Sequence, residues 1–449
     1  MTRPPFGFGP ADRPDDPGGE GNNPGDPFGL SAMFGGQGSA GGGDLFAQLS
    51  QLMSWTGGPV NWDLATSVAT STATATDRPI TRDESTAVAA ACRLADHWLD
   101  PVTTLPGSGG EGRALTRLGW IEATLPAWRS LVDPVATRVV AAMGGAMEKG
   151  LQGGFGGMVP EEMQSMLAGA GPLKGVMDQV GGFVFGTQVG QALGALAGEV
   201  LAVTEVGLPL SEPGRPALVP QNVAAFAEGL EVPEDQIRLY LALRECAHQR
   251  LFSSVPWLKA HLFDAVEAYA RGIEVDPEAI QQAITSIDPS DPESLQQALS
   301  GGIFDLPPTA AQQVALARLE TALALVEGWV DAVVDAAATA QLPAAAGLRE
   351  TVRRRRATGG PAEQTFATLV GLQLRPRRLR DAADLWSAVA QSRGIEGRDA
   401  LWNHPDLLPG PADLDDPSGF VARTGAGGSG STKDSGTDWD AELRGLDEA

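Results

Sequence analysis

A ladder of glycines is the feature that most limits how this chain can fold. In the apolar stretch 180–203, a glycine recurs at every fourth position, at Gly182, Gly186, Gly190, Gly194 and Gly198. Each glycine in a helix costs about 1 kcal/mol relative to alanine, so five of them need a compensating contact. Small residues at this spacing form a groove that lets a second helix approach closely. The ladder therefore predicts a helix that is buried against a partner helix.

A membrane span is the other structure in which such a ladder occurs. The stretch is nearly long enough to cross a bilayer, but it is interrupted by Thr187, Gln188, Gln191 and Glu199. No basic cluster flanks it, since Lys174 is the only basic residue nearby. We therefore predict a buried helix of a soluble domain and no membrane span.

Charge and composition restrict the partners and sites that this chain can have. The 449 residues carry a net charge of −24, which disfavours binding to nucleic acid and to anionic membranes. Two cysteines exclude a disulfide scaffold and a cysteine-rich zinc cluster, and four histidines leave few donors for a metal. Residues 1–29 lack the basic start and apolar core of a signal peptide, so we expect the protein in the cytoplasm.

The sequence divides into a helical body and two terminal arms. Residues 1–43 are rich in Gly, Pro and Asp and are predicted to be disordered. Their GxGxxG match at 36–41 follows no strand, so we predict no nucleotide cofactor. Residues 61–408 carry helical signals almost throughout and predict one all-α domain around the glycine-ladder helix. Residues 409–449 lose this periodicity and have the composition of a flexible acidic tail.

A short apolar segment lies between the N-terminal arm and the body. Residues 44–60 are predicted to form a short amphipathic helix and a linker. One face of this helix carries Leu45, Phe46, Leu49, Leu52 and Met53. Such a face would dock on the body or on a partner.

The acidic tail contains a similar but weaker pattern. Trp439, Leu443 and Leu446 have the spacing of a helix that binds in a partner's groove. An unbound tail is the simpler interpretation of the same residues, and we favour it.

Several helix boundaries can be predicted within the body. Thr81 and Glu84 form a capping-box pattern before an apolar-periodic run. Two prolines, Pro126 and Pro134, are expected to divide the helical stretch 120–143 into pieces.

Further along the chain, a near-repeat precedes a long helical stretch. Residues 276–284 recur in similar form as 291–299, each with Asp at an N-cap and Pro at the first helical position, which predicts a helical hairpin. Residues 309–340 read as one long, alanine-rich helix.

An arginine-rich segment interrupts the acidic chain. Nine arginines against two glutamates lie between residues 349 and 380. Such a segment could bind phosphate or nucleic acid, but Phe366 is the only aromatic residue there, and single-strand binding needs more. We therefore predict that these arginines pair with acidic groups of the body.

One helical segment resembles a metal-binding motif. In an HExxH helix, two histidines four residues apart grip one zinc ion and the glutamate deprotonates a bound water. Here the same frame reads Arg244-Glu245-Cys246-Ala247-His248, so an arginine stands in place of the first ligand. His261, thirteen residues further and past a turn, could return to the same cleft. Glu245 and His248 would otherwise be a hydrogen-bonded pair, and Cys246 a buried, inert thiol with no second thiol nearby.

The stretch 244–261, which includes Val255-Pro256-Trp257-Leu258, resembles a bacterial zincin-like family of hydrolases and zinc-dependent metalloproteases. One branch of that family is associated with deazaflavin-cofactor biosynthesis. The resemblance covers most of residues 60–405, including the glycine ladder, residues 326–331 and residues 353–380. It implies a helical, zincin-like domain and a peptide or protein as substrate or partner.

The resemblance also implies roles for individual residues. Glu245 would be the general base, and His248 and Glu327 would be zinc ligands, with His261 as a further candidate ligand. Two positions depart from the family pattern, because Arg244 and Trp329 stand where histidines belong. We expect both departures to remove imidazole from one cleft.

The presence of Arg244 at the first ligand position leaves two functional hypotheses open. A guanidinium has no lone pair and repels Zn²⁺, and it could instead pair with Glu245 or Glu327. The first hypothesis is a zinc-dependent metallohydrolase that uses Glu245, His248, His261 and Glu327. The second is a catalytically silent relative that acts as a binding or scaffold protein. The residues by themselves favour the second, and the family resemblance favours the first.

Overall fold

Helices make up nearly all regular structure in the residues that the computed structural model describes, which are 57–153, 171–272, 309–357 and 378–425. The helices in these ranges are α1 (Trp62–Thr74), α2 (Arg82–Leu99), α3 (Arg117–Gly153), α4 (Gly171–Ala197), α5 (Pro220–Ala227), α6 (Glu234–Ser254), α7 (Pro256–Arg271), α8 (Ala310–Ala338), α9 (Ala345–Ala357), α10 (Leu379–Asp399), α11 (Pro411–Asp415) and α12 (Pro417–Gly425). Two short strands, β1 (Arg113–Ala114) and β2 (Ala217–Leu218), pair in parallel. The predicted all-α domain is confirmed.

The glycine ladder is the surface of α4 against which α1 packs. A Cβ atom on Gly190 would lie 2.6 Å from the carbonyl oxygen of Ala65, and one on Gly194 would lie 2.7 Å from the Cβ of Thr72. Asn61, at the start of α1, donates its backbone N–H to the carbonyl of Gly182 over 2.9 Å. The two backbones therefore approach too closely for any side chain, and the predicted buried helix is confirmed. Among the described helices, none has the length and apolar character that crossing a bilayer requires.

Helix α3 differs from the sequence prediction. It runs from Arg117 to Gly153 without a break, with Pro126 and Pro134 both inside it. A proline inside a helix removes one hydrogen bond and costs about 3 kcal/mol. Burial of Trp128 and Leu131 between the prolines provides a packing contribution that opposes this cost. The predicted division of the helix is wrong.

Other predicted boundaries agree with the structure. The capping box of Thr81 and Glu84 opens α2, with both of its hydrogen bonds formed. A second capping box, of Thr309 and Gln312, opens α8, whose bounds nearly coincide with the predicted stretch 309–340.

The helical body extends past the boundary that the sequence placed at residue 408. Helices α11 and α12 follow it and pack on α10, with Leu414 and Phe420 buried. Periodicity is weak there because each helix is short and buries only one or two side chains. The arm 1–43, the segment 44–56 and the tail beyond 425 lie outside the described residues, as does the near-repeat 276–299.

Two long helices, α6 and α8, occupy the centre of the fold. Helix α6 packs against α2 on one side and α8 on the other, and every residue from Tyr240 to Phe252 is buried. The loop between α4 and β2, residues 198–216, passes over α6, with Thr204 and Gly214 hydrogen-bonded to its side chains. A buried helix that carries charged residues must supply each of them with a partner, and this requirement determines the site.

Candidate functional site

The candidate site lies where α6, α8 and α9 meet beneath the α4–β2 loop. Helix α6 contributes Arg244, Glu245 and His248, and all three are buried. Helix α8 contributes Glu327 and Asp331, which are four residues apart and therefore share one face. The structure thus places His248 and Glu327 in contact, with Arg244 beside them, whereas Glu245, the next residue on α6, contacts the loop above the helix.

Arg244 bridges two acidic side chains of α8. Its Nη2 lies 2.7 Å from Oε2 of Glu327, and its Nη1 pairs with Asp331. Only 7% of Arg244 is exposed to solvent. Burial opposes the charge of this guanidinium, but Asp331 and Glu327 outweigh it and raise the pKa of Arg244 above its usual value. The guanidinium is therefore a fixed cation in the core.

Glu327 is surrounded by cationic groups. Its Oε2 accepts from Arg244 and from Arg356 of α9, and its Oε1 lies 3.0 Å from Nε2 of His248. Burial alone would raise its pKa, but Arg356, His248 and Arg244 together hold that pKa well below its usual range. Gly207, at φ +80°, packs against the same carboxylate, and a Cβ there would lie 2.8 Å from Oε1. Both oxygens of the buried Glu327 carboxylate are therefore in contact with other groups of the protein.

Both ring nitrogens of His248 face oxygen atoms. Nδ1 lies 2.9 Å from the carbonyl oxygen of Arg244, and Nε2 lies 3.0 Å from Oε1 of Glu327. Both ring nitrogens are therefore occupied by contacts within the protein, and neither is directed at an open position where a metal could bind.

Glu245 holds the loop above α6 through hydrogen bonds. Its Oε2 accepts from the hydroxyl of Thr204 over 2.5 Å and from the backbone N–H of Thr204 over 3.2 Å. Its Oε1 accepts from Gln249 over 2.9 Å and from the backbone of Ala217 over 3.3 Å. Burial raises the pKa of this carboxyl, although these donors act against the rise. Glu245 and His248 do not form the hydrogen-bonded pair that the i, i+3 spacing suggested.

His261 lies apart from this cluster. Its Nδ1 is 3.0 Å from Nη2 of Arg318, and its ring packs edge-on against Trp257. Arg318 and Glu327 are nine residues apart on α8, which corresponds to about 13 Å along the helix axis. The structure does not bring His261 to Glu327 and His248.

Trp329 also faces away from the cluster. It lies two residues after Glu327, about 200° around the helix, and its indole N–H donates to Asp399 over 2.9 Å. The other oxygen of Asp399 accepts from Thr103 and from Thr104. The expectation that positions 244 and 329 line one cleft is wrong, because residues two apart on a helix point in nearly opposite directions.

Cys246 has a neighbour that the sequence did not reveal. Its thiol donates to the carbonyl oxygen of Cys92 on α2 over 3.7 Å, and both cysteines are buried. Hydrogen bonding to the Cys92 thiol, together with burial, raises the pKa of Cys246. The expectation of no second thiol nearby is wrong, whereas burial of Cys246 is as predicted.

The arginine-rich segment pairs with acidic groups of the body, as predicted. The ion pairs in its described part are Arg349–Asp335, Arg353–Asp331, Arg354–Glu350, Arg355–Glu205, Arg356–Glu327, Arg378–Asp381 and Arg380–Glu350. Arg353 and Arg356 reach the site, where they pair with Asp331 and Glu327. Arg355 reaches the loop above the site, where it pairs with Glu205. The sequence signal for their role was the local excess of arginine, which does not indicate which acid each one meets.

The arranged side chains do not fit a zinc ion. Catalytic zinc needs three protein donors and one open position. Here both ring nitrogens of His248 are directed at protein oxygens, the oxygens of Glu327 are occupied by Arg244, Arg356 and His248, and Arg244 offers no lone pair. Within the described ranges, no three His, Cys, Asp or Glu side chains are placed to hold a metal.

Comparison with known proteins agrees with the fold. The model of the zincin-like metallopeptidase family matches residues 60–421. Among solved structures, the chain is similar to a protein from Chloroflexus aurantiacus described as "a putative hydrolase with a novel fold". The two are 18% identical with a TM-score of 0.54, and the match covers 82% of this chain and 99% of the other. A search of the curated proteins found no match. Because the family model matches well over half of its length, this chain belongs to the zincin-like metallopeptidase family.

Proposed function

We propose that this chain is a catalytically silent zincin-like protein that acts by binding a protein partner. One observation carries the proposal: Arg244 and Arg356 converge on the carboxylate of Glu327, whose other oxygen faces His248. Zinc would meet the same carboxylate and the same imidazole. The guanidinium of Arg244 therefore neutralises the acidic groups that a metal would otherwise neutralise.

The size of the pocket at the site supports the same proposal. It has a volume of about 30 Å³ and is lined in part by Thr204, Glu245 and Arg356. A cavity needs about 10–15 Å³ of such volume to hold one water, so this pocket has room for roughly two waters. A peptide would need the α4–β2 loop or α9 to move away before it reached Glu245.

Metal analysis of the purified full-length chain tests the silent site. We expect less than one zinc ion for every ten chains, and the same melting temperature with and without a chelator. Structural or catalytic metal contributes to folding stability, so its removal would lower that temperature. One zinc per chain, lost in a His248→Ala variant, would contradict the proposal.

A zinc-dependent hydrolase remains the second candidate function. The observation that favours it is the survival of an imidazole and a carboxylate 3.0 Å apart, with Glu245 one residue after Arg244 on α6. Hydrolysis of an unfolded protein substrate, dependent on added zinc and abolished in Glu245→Gln, would establish this function. The silent protein should show no such difference between the wild type and the variant.

The binding role needs a separate test of the acidic tail. A deletion should begin at residue 426, because α11 and α12 belong to the body. Loss of the captured partners when residues 426–449 are removed would assign the binding to the tail. Identical partner sets would show that the tail has no part in binding.

A further inference from the structure

A groove runs between α1 and α3, and none of its lining residues belongs to the candidate site. It has a volume of about 430 Å³, and its lining includes Leu118, Leu125 and Pro126 of α3 and Thr66 and Thr70 of α1. Leu118 and Leu125 stay partly exposed on its floor. Within the described part of the chain, nothing covers these apolar side chains. A groove of this size and apolar character is suited to a short helix.

The groove has a defined length and direction. From Leu118 to Arg129 it follows eleven residues of α3, which is about 16 Å. At one end, the guanidinium of Arg129 lies 5.5 Å from the ring centre of Trp62, the first residue of α1. At the other end, Arg117 contacts Thr76, just after α1. Helices α1 and α3 are therefore antiparallel, and the described chain enters the body at the Arg129 end.

We infer that the groove is the docking site for residues 44–53 of this same chain. As a helix, these ten residues would be about 15 Å long, which matches the groove. Six residues separate Met53 from Val60, which is buried in the body, and they span at most about 24 Å. The segment would then form an antiparallel hairpin with α1 and cover the floor with its apolar face.

The charges along the groove suit a helix that runs in this direction. Met53, at the C-terminal end of the segment, would lie near Arg129, and a cation is favourable at a helix C-terminus. At the other end, Glu122 and Arg117 carry opposite charges, so that end favours neither direction. A helix in the opposite direction would place its positive N-terminal end at Arg129, which is unfavourable.

Cross-linking in the full chain tests the docking. In a Leu49→Cys, Thr66→Cys double variant, we expect oxidation to join the two new cysteines within one chain, because in the docked hairpin Leu49 and Thr66 each lie four residues from the Arg129 end of the groove. The native Cys92 and Cys246 are buried and stay out of reach. The matched control is Gln51→Cys with Thr66→Cys, since residue 51 lies on the opposite face of the helix from Leu49 and should react on the order of tenfold more slowly.

Each outcome of this experiment decides the inference. A disulfide within one chain that forms only with Leu49→Cys supports it. Equal reaction of both variants, or none, would overturn it. A disulfide-linked dimer would also overturn it, because the groove would then receive the segment of a second copy.

Hydrogen exchange on the unmodified chain gives an independent measurement. Amides of residues 45–53 should exchange on the order of tenfold or more slowly than in an unfolded peptide, and Leu49→Glu should remove this protection. Gln51→Glu adds the same charge on the opposite face and should leave the protection in place. Exchange of the wild-type segment at the rate of an unfolded peptide would refute the docking.

Discussion

Arg244 shows how a single residue can replace the role of a bound cation. A buried carboxylate needs a counter-charge, and Glu327 has two, because Arg244 and Arg356 both pair with its Oε2. Removing one partner of a buried ion pair usually costs more than the pair itself contributes, because the remaining charge is left unpaired. The network therefore makes a clear prediction about stability at the level of one side chain.

We expect Arg244→Leu to lower the free energy of unfolding by about 3–5 kcal/mol. Both Glu327 and Asp331 would lose a buried partner. Arg354→Leu is the control, because 77% of that side chain is exposed, and it should hardly change stability. Urea denaturation of the two variants provides the measurement. Similar midpoints would show that the buried network contributes little.

The two buried glutamates should respond to pH with opposite signs. The pKa of Glu327 is lowered in the fold, so the unfolded chain takes up its proton first as the pH falls below about 5. The stability that Glu327 provides is therefore lost in acid, at up to about 1.4 kcal/mol per pH unit. The pKa of Glu245 is raised, so its contribution is present in acid and lost as the pH rises.

Unfolding free energies at several pH values between about 4 and 7 provide the check. The advantage of the wild type over Glu327→Gln should shrink as the pH falls, whereas its advantage over Glu245→Gln should grow. Parallel pH curves for the wild type and both variants would contradict this reading of the site.

At the scale of elements, the pair of α1 and α4 depends on backbone contact. A hydrogen bond from the backbone N–H of Asn61 to the carbonyl oxygen of Gly182 joins the helices at one end. The glycines of α4 let the two backbones stay close along their length. Alanine is normally the better helix former, so replacing a glycine would stabilise an isolated helix. Whether the substitution stabilises the protein depends on what its Cβ would meet.

Gly190→Ala should destabilise the protein despite its higher helix propensity. Its Cβ would lie 2.6 Å from both the Ala65 carbonyl oxygen and the Cβ of Val68, and overpacking costs about 1–3 kcal/mol against a gain of about 1 kcal/mol. Gly347→Ala in α9 meets nothing within 4 Å and should raise stability slightly. Thermal melting compares the two. A neutral Gly190→Ala would show that α1 and α4 separate easily.

At the scale of the molecule, Asp399 joins the end of the body to its beginning. It accepts from Thr103 and Thr104, nearly three hundred residues earlier, and from Trp329 of α8. Arg398, beside it, donates to the carbonyl of Val102. Burial opposes the charge, but hydrogen bonds and Arg398 lower the pKa of Asp399. The loop after α2 is therefore fixed by the C-terminal part of the chain.

We expect Asp399→Ala to lower the free energy of unfolding by about 3–5 kcal/mol, because Arg398 loses its buried partner. Amides of residues 102–105 should exchange faster in this variant, as measured by hydrogen exchange. Asp415→Ala removes an exposed carboxylate that pairs with Arg378 and serves as the control. Unchanged exchange at 102–105 would mean that the loop is held by other contacts.

Most of the fold could be predicted from local sequence patterns. Capping residues at Thr81 and the four-residue glycine period each depend on neighbours within one helix, so both were predicted correctly. The prolines of α3 led to a wrong prediction of a helix break. The free-energy cost of a proline inside a helix is outweighed there by burial of neighbouring side chains, which a local pattern does not show.

The candidate site was predictable only in part. The spacing of Arg244, Glu245 and His248 on one helix singled out α6, and the family pattern added Glu327. Thr204 and Arg356 were not predicted, because their contacts with Glu245 and Glu327 join distant parts of the chain.

The sequence by itself determined most of the helices, the buried ladder, the family and the presence of an arginine where a metal ligand belongs. Only the tertiary structure decided what that arginine does. A guanidinium on α6 has no fixed partner in sequence, and a buried guanidinium needs hydrogen-bond acceptors, which here are the carboxylates of Glu327 and Asp331. The same physical requirement placed Arg356 on Glu327 and turned Trp329 towards Asp399.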